Sequence, residues 1–324
     1  MQNLTHDVPI RITELCFGGS RVERLPPDGL TLILGSNNVG KSAALQDIAS
    51  FLGSPQGDIH NAVSVLSGIT LTGDEFPDDH SPHLGRLYDT FTDYQRIDER
   101  LGLIREISLD DNSAEARWSP LRHMYFSPEF EDLISRLTLE AFGQPVCVNH
   151  HISSCELRLG ALQPVSSEGD GVRSFIGLLL HALVPNRPLK LIDEPEAFLD
   201  PSLSRLMGRM LDAERPIGSQ MIIATHSPSF VQGVLEVPTE SVKLIRLSRT
   251  ASGLISNRSL DPKLVATFWR DSRLRYSELF LSLFKKGVII CGSDVERQFY
   301  TAAFDHQLPR ESCQFLVTHV GVPH

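Results

Sequence analysis

The fold is decided by the stretch Gly35-Ser36-Asn37-Asn38-Val39-Gly40-Lys41-Ser42, which fits the phosphate-binding pattern G-x-x-x-x-G-K-[ST]. Its glycines allow backbone N–H groups to turn toward phosphate oxygens. Lys41 supplies a positive charge for the β- and γ-phosphates of a nucleotide, and the Ser42 hydroxyl is an oxygen ligand suited to Mg²⁺. The stretch therefore predicts a nucleotide site that also holds a magnesium ion.

The residues on either side supply the structural context that this pattern requires. Residues 30–34 are apolar and are typical of a short buried strand. Apolar residues on the other side recur at helical spacing, and Gly53 and Pro55 then end the predicted helix. The members of this stripe are Ala44, Leu45, Ile48, Phe51 and Leu52. Strand, loop and helix in this order aim the helix N-terminus at the bound anion.

The composition limits the partners and the compartment. A chain of 324 residues that is 41% hydrophobic can form one large or two medium domains. The net charge of −10 means that any DNA contact needs a local basic patch. The scattered cysteines form no C-x-x-C pair, which predicts a reducing, cytoplasmic compartment. No signal peptide is recognisable, and the most apolar run, residues 175–183, is shorter than the ~20 residues of a membrane span.

The segment after the loop helix is predicted to be irregular and then helical. Residues 10–15 alternate as in a half-buried strand, whereas residues 53–83 are rich in Gly, Pro, Asp and Ser and predict a solvated loop or insertion. Helical spacing then predicts one helix over residues 84–101 and another over residues 130–137. These helices are either a lid or arm inserted into the nucleotide domain or ordinary packing helices, and the spacing does not separate the two.

Two cysteines and two histidines lie close together between residues 147 and 155, and they raise the question of a zinc site. They are Cys147, His150, His151 and Cys155. Their spacing fits no standard zinc pattern, and the valines between them favour a strand.

A Ser/Gly-rich turn, residues 166–174, leads directly into an apolar helix that starts near Val172. Ser166 or Ser167 is a candidate cap for this helix. The free N–H groups at the helix start suit an anion, although a plain capped helix explains the pattern equally well.

A second strand ends in two consecutive carboxylates, Asp193 and Glu194. One carboxylate at that position can hold Mg²⁺ beside the phosphate loop, and the other can orient or deprotonate an attacking water. Two acidic residues at a strand end have little structural purpose, because burying unpaired charge is costly. Asp200 and Pro201 then fit the N-cap and first position of another helix.

A third strand, residues 220–225, leads to His226. His226 could hydrogen-bond a γ-phosphate or the attacking water. A single histidine is usually structural, but active sites of open parallel sheets gather at the carboxyl ends of the strands.

These motifs, in this order, resemble the ABC-type ATPase superfamily over roughly residues 8–250. More narrowly, they resemble the ATPase domain of the OLD (overcoming lysogenisation defect) family and its bacterial defence relatives. The two motifs most specific for this family are Glu194-Pro195-Glu196-Ala197-Phe198-Leu199 and Thr225-His226-Ser227-Pro228. The resemblance implies a head that dimerises around two ATP molecules.

The same resemblance implies a role for each site residue. Asp193 would bind magnesium together with Ser42, Glu194 would be the catalytic base, and His226 would be the switch histidine. The signature motif, which would touch the γ-phosphate held by the other subunit, comprises Ser166, Ser167, Gly169 and Gly171. Asp200 would lie in the loop that crosses the dimer interface. One family element, a glutamine loop, is not placed by the resemblance: Gln163 is in the wrong place for it and residues 125–128 contain no glutamine.

The C-terminal residues resemble the start of a Toprim domain, a metal-dependent nuclease or topoisomerase module. Residues 287–300 resemble the start of this domain, with its first strand, and residues 315–321 resemble its second strand. The family places a metal-binding glutamate before the glycine that ends the first strand, whereas this chain has Cys291 there. Asp294 and Glu296 are nearby but displaced, so we expect a partial Toprim-like segment that does not cut DNA.

The sequence therefore predicts an α/β fold with two parts. An ABC-type P-loop ATPase head occupies residues 1–285, with a helical insertion at about residues 84–140, and a partial Toprim-like α/β segment occupies residues 286–324. The expected activity is Mg²⁺-dependent hydrolysis of ATP, in a homodimer or higher oligomer that sandwiches ATP between heads.

Resemblance alone implies a role in anti-phage or mobile-element defence, linked to DNA or to a nuclease effector protein. A different class of function is a nucleotide-gated scaffold that binds ATP, dimerises and holds an effector with little turnover. A third class, the ATPase subunit of a membrane transporter, is disfavoured by the sequence of residues 225–228 and by the Toprim-like tail.

Overall fold

The computed structural model describes residues 11–18, 22–53, 64–72, 92–95, 107–108, 119–150, 154–160, 163–185, 188–237, 241–250, 253–260, 267, 283–285, 287–304 and 313–317. The strands are β1 (Arg11–Phe17), β2 (Val22–Arg24), β3 (Leu30–Leu34), β4 (Leu66–Thr72), β5 (Thr92–Gln95), β6 (Ile107–Ser108), β7 (Val146–His150), β8 (Ser154–Leu159), β9 (Gln163–Pro164), β10 (Leu189–Asp193), β11 (Gln220–Thr225), β12 (Val242–Arg249), β13 (Ile255–Leu260), β14 (Gly287–Cys291) and β15 (Cys313–Val317). The helices are α1 (Lys41–Gly53), α2 (Pro120–Phe126), α3 (Pro128–Phe142), α4 (Asp170–Leu183), α5 (Pro201–Ala213), α6 (Pro228–Val234) and α7 (Asp294–Phe304), with a 3₁₀ turn at Val165–Ser167.

A six-stranded sheet of order β13-β12-β3-β11-β10-β5 organises the molecule. Five of its strands run parallel, and β13 pairs antiparallel with β12 at one edge. The interior strands β3 and β11 are buried along their whole length, which explains why their sequences are mostly apolar. Because parallel strands end at one edge, the sheet brings the segments that follow β3, β10 and β11 together.

Alternate residues of the central strands face two separate hydrophobic cores. Leu32 and Ile223 pack on one face with Phe175 of α4, together with residues from α2, α3, α5 and α6. Ile33 and Ile222 pack on the other face with residues of α1 and β1. This alternation follows from the two-residue period of a strand. The sheet is thus held from both sides, which makes its carboxyl edge a rigid platform.

Two smaller antiparallel sheets complete the head. One has the order β2-β1-β4, and in the other β8 pairs with β6, β7 and β9. The predictions for α1, α3 and β1 are confirmed by their positions in the structure.

Two predictions for the region between α1 and α3 are wrong. Residues 92–95 form β5 rather than part of a helix, and this strand pairs in parallel with β10, placing Tyr94 opposite Leu191. Residues 66–72, within the stretch predicted to be a solvated loop or insertion, form β4 and pair with β1. In both cases pairing with a distant strand decides the local structure. The predicted insertion at about residues 84–140 is therefore helical only in α2 and α3 among the described residues.

The cluster proposed from residues 147–155 lies on the hairpin of β7 and β8. Cys155 is buried opposite His150, whereas Cys147 is exposed opposite Arg158, and His151 lies outside the described residues. Across the described parts of the chain, no group of three or more His, Cys, Asp or Glu residues is placed to hold a metal ion.

The C-terminal segment contains two strands and a helix, and the strands lie where the resemblance predicts the first and second strand. β14 and β15 pair in parallel, and α7 lies between them in the chain. None of the helices in the described residues is long and apolar enough to cross a membrane.

Candidate functional site

The phosphate loop joins β3 to α1 with a backbone that depends on glycine. Gly35 and Gly40 have φ angles of +151° and +98°, and Asn38 has a φ of +63°. A Cβ on Gly35 would lie 2.6 Å from the Leu247 carbonyl oxygen of β12, so no other residue fits without moving the neighbouring strand. The loop therefore packs against the sheet with the glycine-dependent backbone conformation that its sequence motif predicts.

Lys41 begins α1 at the centre of the site and is only 5% exposed. Its Nζ donates a hydrogen bond to the Ser36 carbonyl oxygen at 3.0 Å. Burial lowers the pKa of Lys41, whereas the charges of Glu194, Glu196 and Asp193 oppose that shift. A partly desolvated ammonium inside a loop of backbone N–H groups is an effective binding group for phosphate.

Ser42 and Asp193, the predicted magnesium ligands, lie next to each other in the structure. The Ser42 hydroxyl donates to Asp193 Oδ1 at 3.0 Å, which joins α1 to the end of β10. Two adjacent hard oxygen donors fit Mg²⁺, which commonly takes one or two protein oxygens and completes its shell with phosphate oxygens and water. The predicted pair of metal ligands is therefore brought together.

Glu194 follows β10 in a left-handed conformation, with a φ of +47°. Such a conformation costs on the order of 1 kcal/mol or more for a residue other than glycine. The turn is held because the Glu194 backbone N–H donates to the Ala224 carbonyl oxygen at 2.8 Å. The same turn places Glu194 Oε1 3.4 Å from His226 Nδ1. The two predicted catalytic side chains therefore face each other.

Glu196 was not predicted as a site residue, yet it lies beneath His226. Its Oε1 accepts a hydrogen bond from the His226 backbone N–H at 2.8 Å, and its Oε2 accepts one from Thr225 Oγ1 at 2.8 Å. His226 Nδ1 lies 3.0 Å from Glu196 Oε1. The ring N–H is not well aligned for a hydrogen bond, so the last contact is best described as an ion pair.

The protonation states of Glu196 and His226 are coupled. Burial by itself raises the pKa of Glu196, but contacts with the His226 side chain and backbone outweigh it, so the pKa lies below its ordinary value. The contact with Glu196 raises the pKa of His226, against the opposing effects of burial and of Lys41. The pair is therefore stabilised as carboxylate and imidazolium.

The predicted signature segment is exposed and anchored to the loop after β10. Ser174 Oγ of α4 donates to the Ala197 carbonyl oxygen at 3.0 Å, and a Cβ on Gly171 would lie 2.9 Å from the Phe198 carbonyl oxygen. These contacts tie the start of α4 to the segment that carries Glu194 and Glu196.

The predicted serine cap of α4 is wrong. The N-cap residue is Gly169, which has no side chain to accept a hydrogen bond. Ser166 and Ser167 lie in the preceding 3₁₀ turn, where Ser167 Oγ donates to the Pro164 carbonyl oxygen at 2.7 Å. The turn moves both serines too far from the helix start to cap it, and both are exposed.

The predicted cap of α5 is confirmed. Asp200 is the N-cap, and its Oδ1 accepts hydrogen bonds from the Ser202 and Leu203 backbone N–H groups at 2.8 and 3.1 Å. Pro201 occupies the first helical position. Asp200 thus has a structural role in the same loop that leads away from Glu194.

Gln95 is a second residue that sequence reasoning missed. It ends β5, and its register partner on β10 is Ile192, the residue before Asp193. Gln95 therefore stands at the same sheet edge as the phosphate loop and the acidic pair. The signal that could have identified it is a polar residue at the end of a strand, but residues 84–101 show the spacing of a helix instead.

Comparisons with known proteins agree with this architecture. A family model described as "AAA domain, putative AbiEii toxin, Type IV TA system" matches residues 85–232, just under half of the chain. The match begins after the phosphate loop and includes Asp193, Glu194 and His226. No curated protein matches the chain.

The similar solved structures include two SMC heads. One is an SMC head bound to the C-terminal winged-helix domain of ScpA, with 13% identity and a TM-score of 0.54 over 81% of this chain and 100% of that one. Another is the Pyrococcus furiosus Smc head with an extended coiled coil, also bound to the C-terminal domain of ScpA. It has 14% identity and a TM-score of 0.51 over 82% of this chain and 100% of that one.

This chain has the fold of an SMC head. The predicted α/β head fold is confirmed by this similarity to SMC heads. The narrower resemblance to the OLD family, the Toprim-like nature of the tail and the predicted domain boundaries stay predictions.

Proposed function

We propose that this chain binds ATP with Mg²⁺ at the carboxyl edge of its central sheet and hydrolyses the bond to the γ-phosphate. The observation that carries the proposal is the convergence of three strand ends at one place. Ser42 bonds Asp193 at 3.0 Å, and His226 Nδ1 lies 3.4 Å from Glu194. A phosphate loop, a metal ligand pair and a carboxylate base in this arrangement suit phosphoryl transfer to water.

Each side chain has a distinct role in this reaction. Lys41 binds the β- and γ-phosphates through its buried ammonium. Mg²⁺, when bound through Ser42 and Asp193, would neutralise charge on the same phosphates. Glu194 accepts a proton from the attacking water as the new P–O bond forms and the bond to the β-phosphate oxygen breaks. His226 donates a hydrogen bond to the γ-phosphate, which becomes inorganic phosphate while ADP leaves.

We assign Gln95 to the edge of the same site. The end of β5 is adjacent to the end of β10, so Gln95 stands at the strand end beside the one that leads to Asp193. Gln95→Ala is expected to lower the hydrolysis rate and to leave ATP affinity nearly unchanged. Calorimetry and a steady-state phosphate-release assay measure the two quantities, and a wild-type rate in the variant would remove Gln95 from the site.

The exposed signature segment supports hydrolysis in a dimer. Ser166 and Ser167 are exposed in the 3₁₀ turn before α4, Gly169 is exposed at its N-cap, and Gly171 packs against the Phe198 carbonyl group. A helix N-terminus exposed in this way suits the γ-phosphate of an ATP held by a second head. Asp200, at the start of α5, would lie in the loop that crosses between the heads.

The wider role rests on resemblance. The specific sequence motifs at residues 194–199 and 225–228 support a DNA-linked ATPase of the OLD type in anti-phage defence, acting with a nuclease effector. A nucleotide-gated scaffold is the second candidate. It is supported by the two solved SMC heads, both of which are bound to a domain of another protein, ScpA. In that case ATP would close the dimer and hold an effector with little turnover.

One experiment separates these functions. The phosphate-release rate of the purified chain is measured with ATP and Mg²⁺, with and without DNA, while light scattering gives the mass with and without ATP. Turnover accompanied by an ATP-dependent doubling of mass supports the ATPase. Doubling of mass with negligible turnover supports the scaffold, and failure to bind ATP contradicts both.

A further inference from the structure

Glu196 is a buried carboxylate with three partners, and the roles proposed above do not include it. It is 9% exposed, and it contacts the Thr225 hydroxyl, the His226 backbone N–H and His226 Nδ1. A charge buried to this degree is tolerated only where it is paired and hydrogen-bonded. All three partners belong to β11 or to the residue that follows it, so the carboxylate ties the turn after β10 to the end of β11.

We propose that Glu196 is a positioning residue for the proposed hydrolysis: it fixes the His226 ring through Nδ1 and keeps that ring charged, so that Nε2 is the nitrogen left to donate to the γ-phosphate. The inference rests on the proposed function for its consequences and on the contacts of Glu196 for its geometry. Glu196 touches neither the nucleotide nor the water in this scheme, and it acts through His226.

The distances also give Glu196 a second effect, on Glu194. Both carboxylates approach the same nitrogen, Glu196 at 3.0 Å and Glu194 at 3.4 Å. Glu196 is buried, whereas the Glu194 side chain is 31% exposed and can reach solvent. Because Glu196 is the closer and less hydrated partner, it neutralises most of the imidazolium charge. Glu194 is then less tightly bound to His226 and remains available to accept a proton from water.

The charged groups around His226 set the direction of its pH dependence. Glu196 and Glu194 favour the imidazolium, Lys41 disfavours it, and Asp193 adds negative charge near Lys41. The pKa of His226 is raised, so the ion pair persists above the ordinary pKa of histidine and is lost as pH rises through the folded value. Removing the charge of Glu196 removes the largest cause of that shift, so the ring loses its proton at lower pH.

The test replaces Glu196 with glutamine, which keeps the shape and one acceptor oxygen but removes the charge. The His226 ring is titrated by NMR without nucleotide, with the His226→Asn variant used to assign its signals. We expect a lower His226 pKa in Glu196→Gln than in wild type. The alkaline limb of the pH–rate profile should move to lower pH, and kcat should fall on the order of 10- to 100-fold with little change in ATP affinity. An unchanged His226 titration overturns the proposal.

Three further measurements test whether the effect is specific to Glu196 and whether it acts through His226. Glu140→Gln, a substitution of an exposed glutamate on α3, is the matched control and should leave the titration and the rate unchanged. Glu196→Asp keeps the buried charge but withdraws it from the ring, so it should lower the His226 pKa even if Glu196→Gln does not fold. If Glu196 acts through His226, adding Glu196→Gln to His226→Asn should lower kcat no further, whereas full additivity overturns the proposal.

The design also separates this inference from the proposed function. The NMR titration needs no ATP and no turnover. A wild-type chain that does not hydrolyse ATP would contradict the proposed function, while a lowered His226 pKa in Glu196→Gln would still establish that Glu196 holds and charges the ring. Hydrolysis by wild type together with an unchanged titration would retain the ATPase and remove Glu196 from it.

Discussion

Lys41 shows how far a motif can predict a single residue. The sequence predicts its position at the start of a helix and its role in binding phosphate, and the structure adds that the side chain is buried and bonded to Ser36. Burial strengthens the interaction of the ammonium with an anion because water no longer screens it. The three carboxylates that oppose the lowering of the Lys41 pKa lie together on a segment more than 150 residues away in the chain, so only the fold reveals them.

Removal of this charge should abolish most nucleotide binding. Lys41→Ala loses a charge-assisted contact in a partly desolvated site, at a cost of about 2–4 kcal/mol in ATP binding free energy. Isothermal titration calorimetry with ATP and Mg²⁺ measures the change, and circular dichroism shows whether the fold is retained. Unchanged affinity in a folded variant would exclude the proposed role of Lys41.

Substitution of Glu194 should slow ATP hydrolysis without weakening ATP binding. As the proposed base it is needed for proton transfer, and it does not contact the phosphates in the proposed scheme. Glu194→Gln should therefore bind ATP normally, hydrolyse it far more slowly and accumulate as an ATP-bound dimer. Single-turnover hydrolysis and size-exclusion chromatography with ATP measure these effects. Wild-type turnover would move the base elsewhere, with His226 as the next candidate.

Glu196 and Gln95 could not be predicted from their own neighbourhood in the sequence. Glu196 stands two residues after Glu194, and nothing in that spacing indicates that its partners are Thr225 and His226 on the next strand. The position of a residue could be predicted where one short stretch contains the whole motif. Its partner could not be predicted where strand pairing supplies it.

At the scale of elements, long apolar patterns were predicted well and short strands were not. The helices α1, α3 and α4 have regular apolar spacing over three or four turns, and each is present. Four residues of β5 are too few for a two-residue period to be distinguished from the helical spacing of residues 84–101. The partner strand β10 lies almost 100 residues away in the chain, so the pairing that decides the structure leaves no local trace.

The element whose role can be tested most directly is the start of α4. If the signature segment completes the site of a second head, Ser167→Arg should block hydrolysis in the opposite site by placing a bulky side chain at the interface. Lys41→Ala should block it in its own site. Mixing the two inactive variants should restore about one working composite site per heterodimer, provided that one intact site turns over alone.

The phosphate-release rate of this mixture is compared with that of each variant alone at the same total concentration. A matched mixture of Ser167→Arg with Ser167→Arg/Lys41→Ala is the control, because none of its dimers contains an intact site. No recovery in the first mixture would contradict hydrolysis between subunits. Hydrolysis within a single head would then still be tested by the Lys41→Ala variant alone.

At the scale of the whole molecule, the order of the central strands was not predictable from the sequence, although the fold class was. The motifs indicate that β3, β10 and β11 end at one site, but they do not indicate that β11 lies between the other two. That order places His226 between the phosphate loop and the acidic turn, where it meets Glu194 and Glu196. The function of the head is therefore a property of the complete sheet rather than of any one motif.

The C-terminal segment gives the last prediction, because Asp294 and Glu296, the acidic residues within its described part, have structural contacts. Glu296 Oε2 accepts a hydrogen bond from the Gly292 backbone N–H at 2.8 Å, and the Glu296 backbone N–H donates to Ser293 Oγ at 3.3 Å. This resembles a capping box that starts α7. Asp294 Oδ1 lies 3.4 Å from Arg297 Nε on the same helix. Neither carboxylate is arranged around a cation, and a nuclease needs several carboxylates that converge on Mg²⁺ or Mn²⁺.

Cys291, which stands at the position of the first metal ligand in the Toprim family, is buried and carries a thiol that suits magnesium poorly. We therefore expect the purified chain not to cleave plasmid DNA in the presence of ATP and either Mg²⁺ or Mn²⁺, as followed by gel electrophoresis. An Asp294→Ala, Glu296→Ala double variant and the Glu140→Gln surface variant are prepared in parallel, because a contaminating nuclease would act in all three preparations. Cleavage by wild type and Glu140→Gln that disappears in the double variant would instead make this segment a working nuclease.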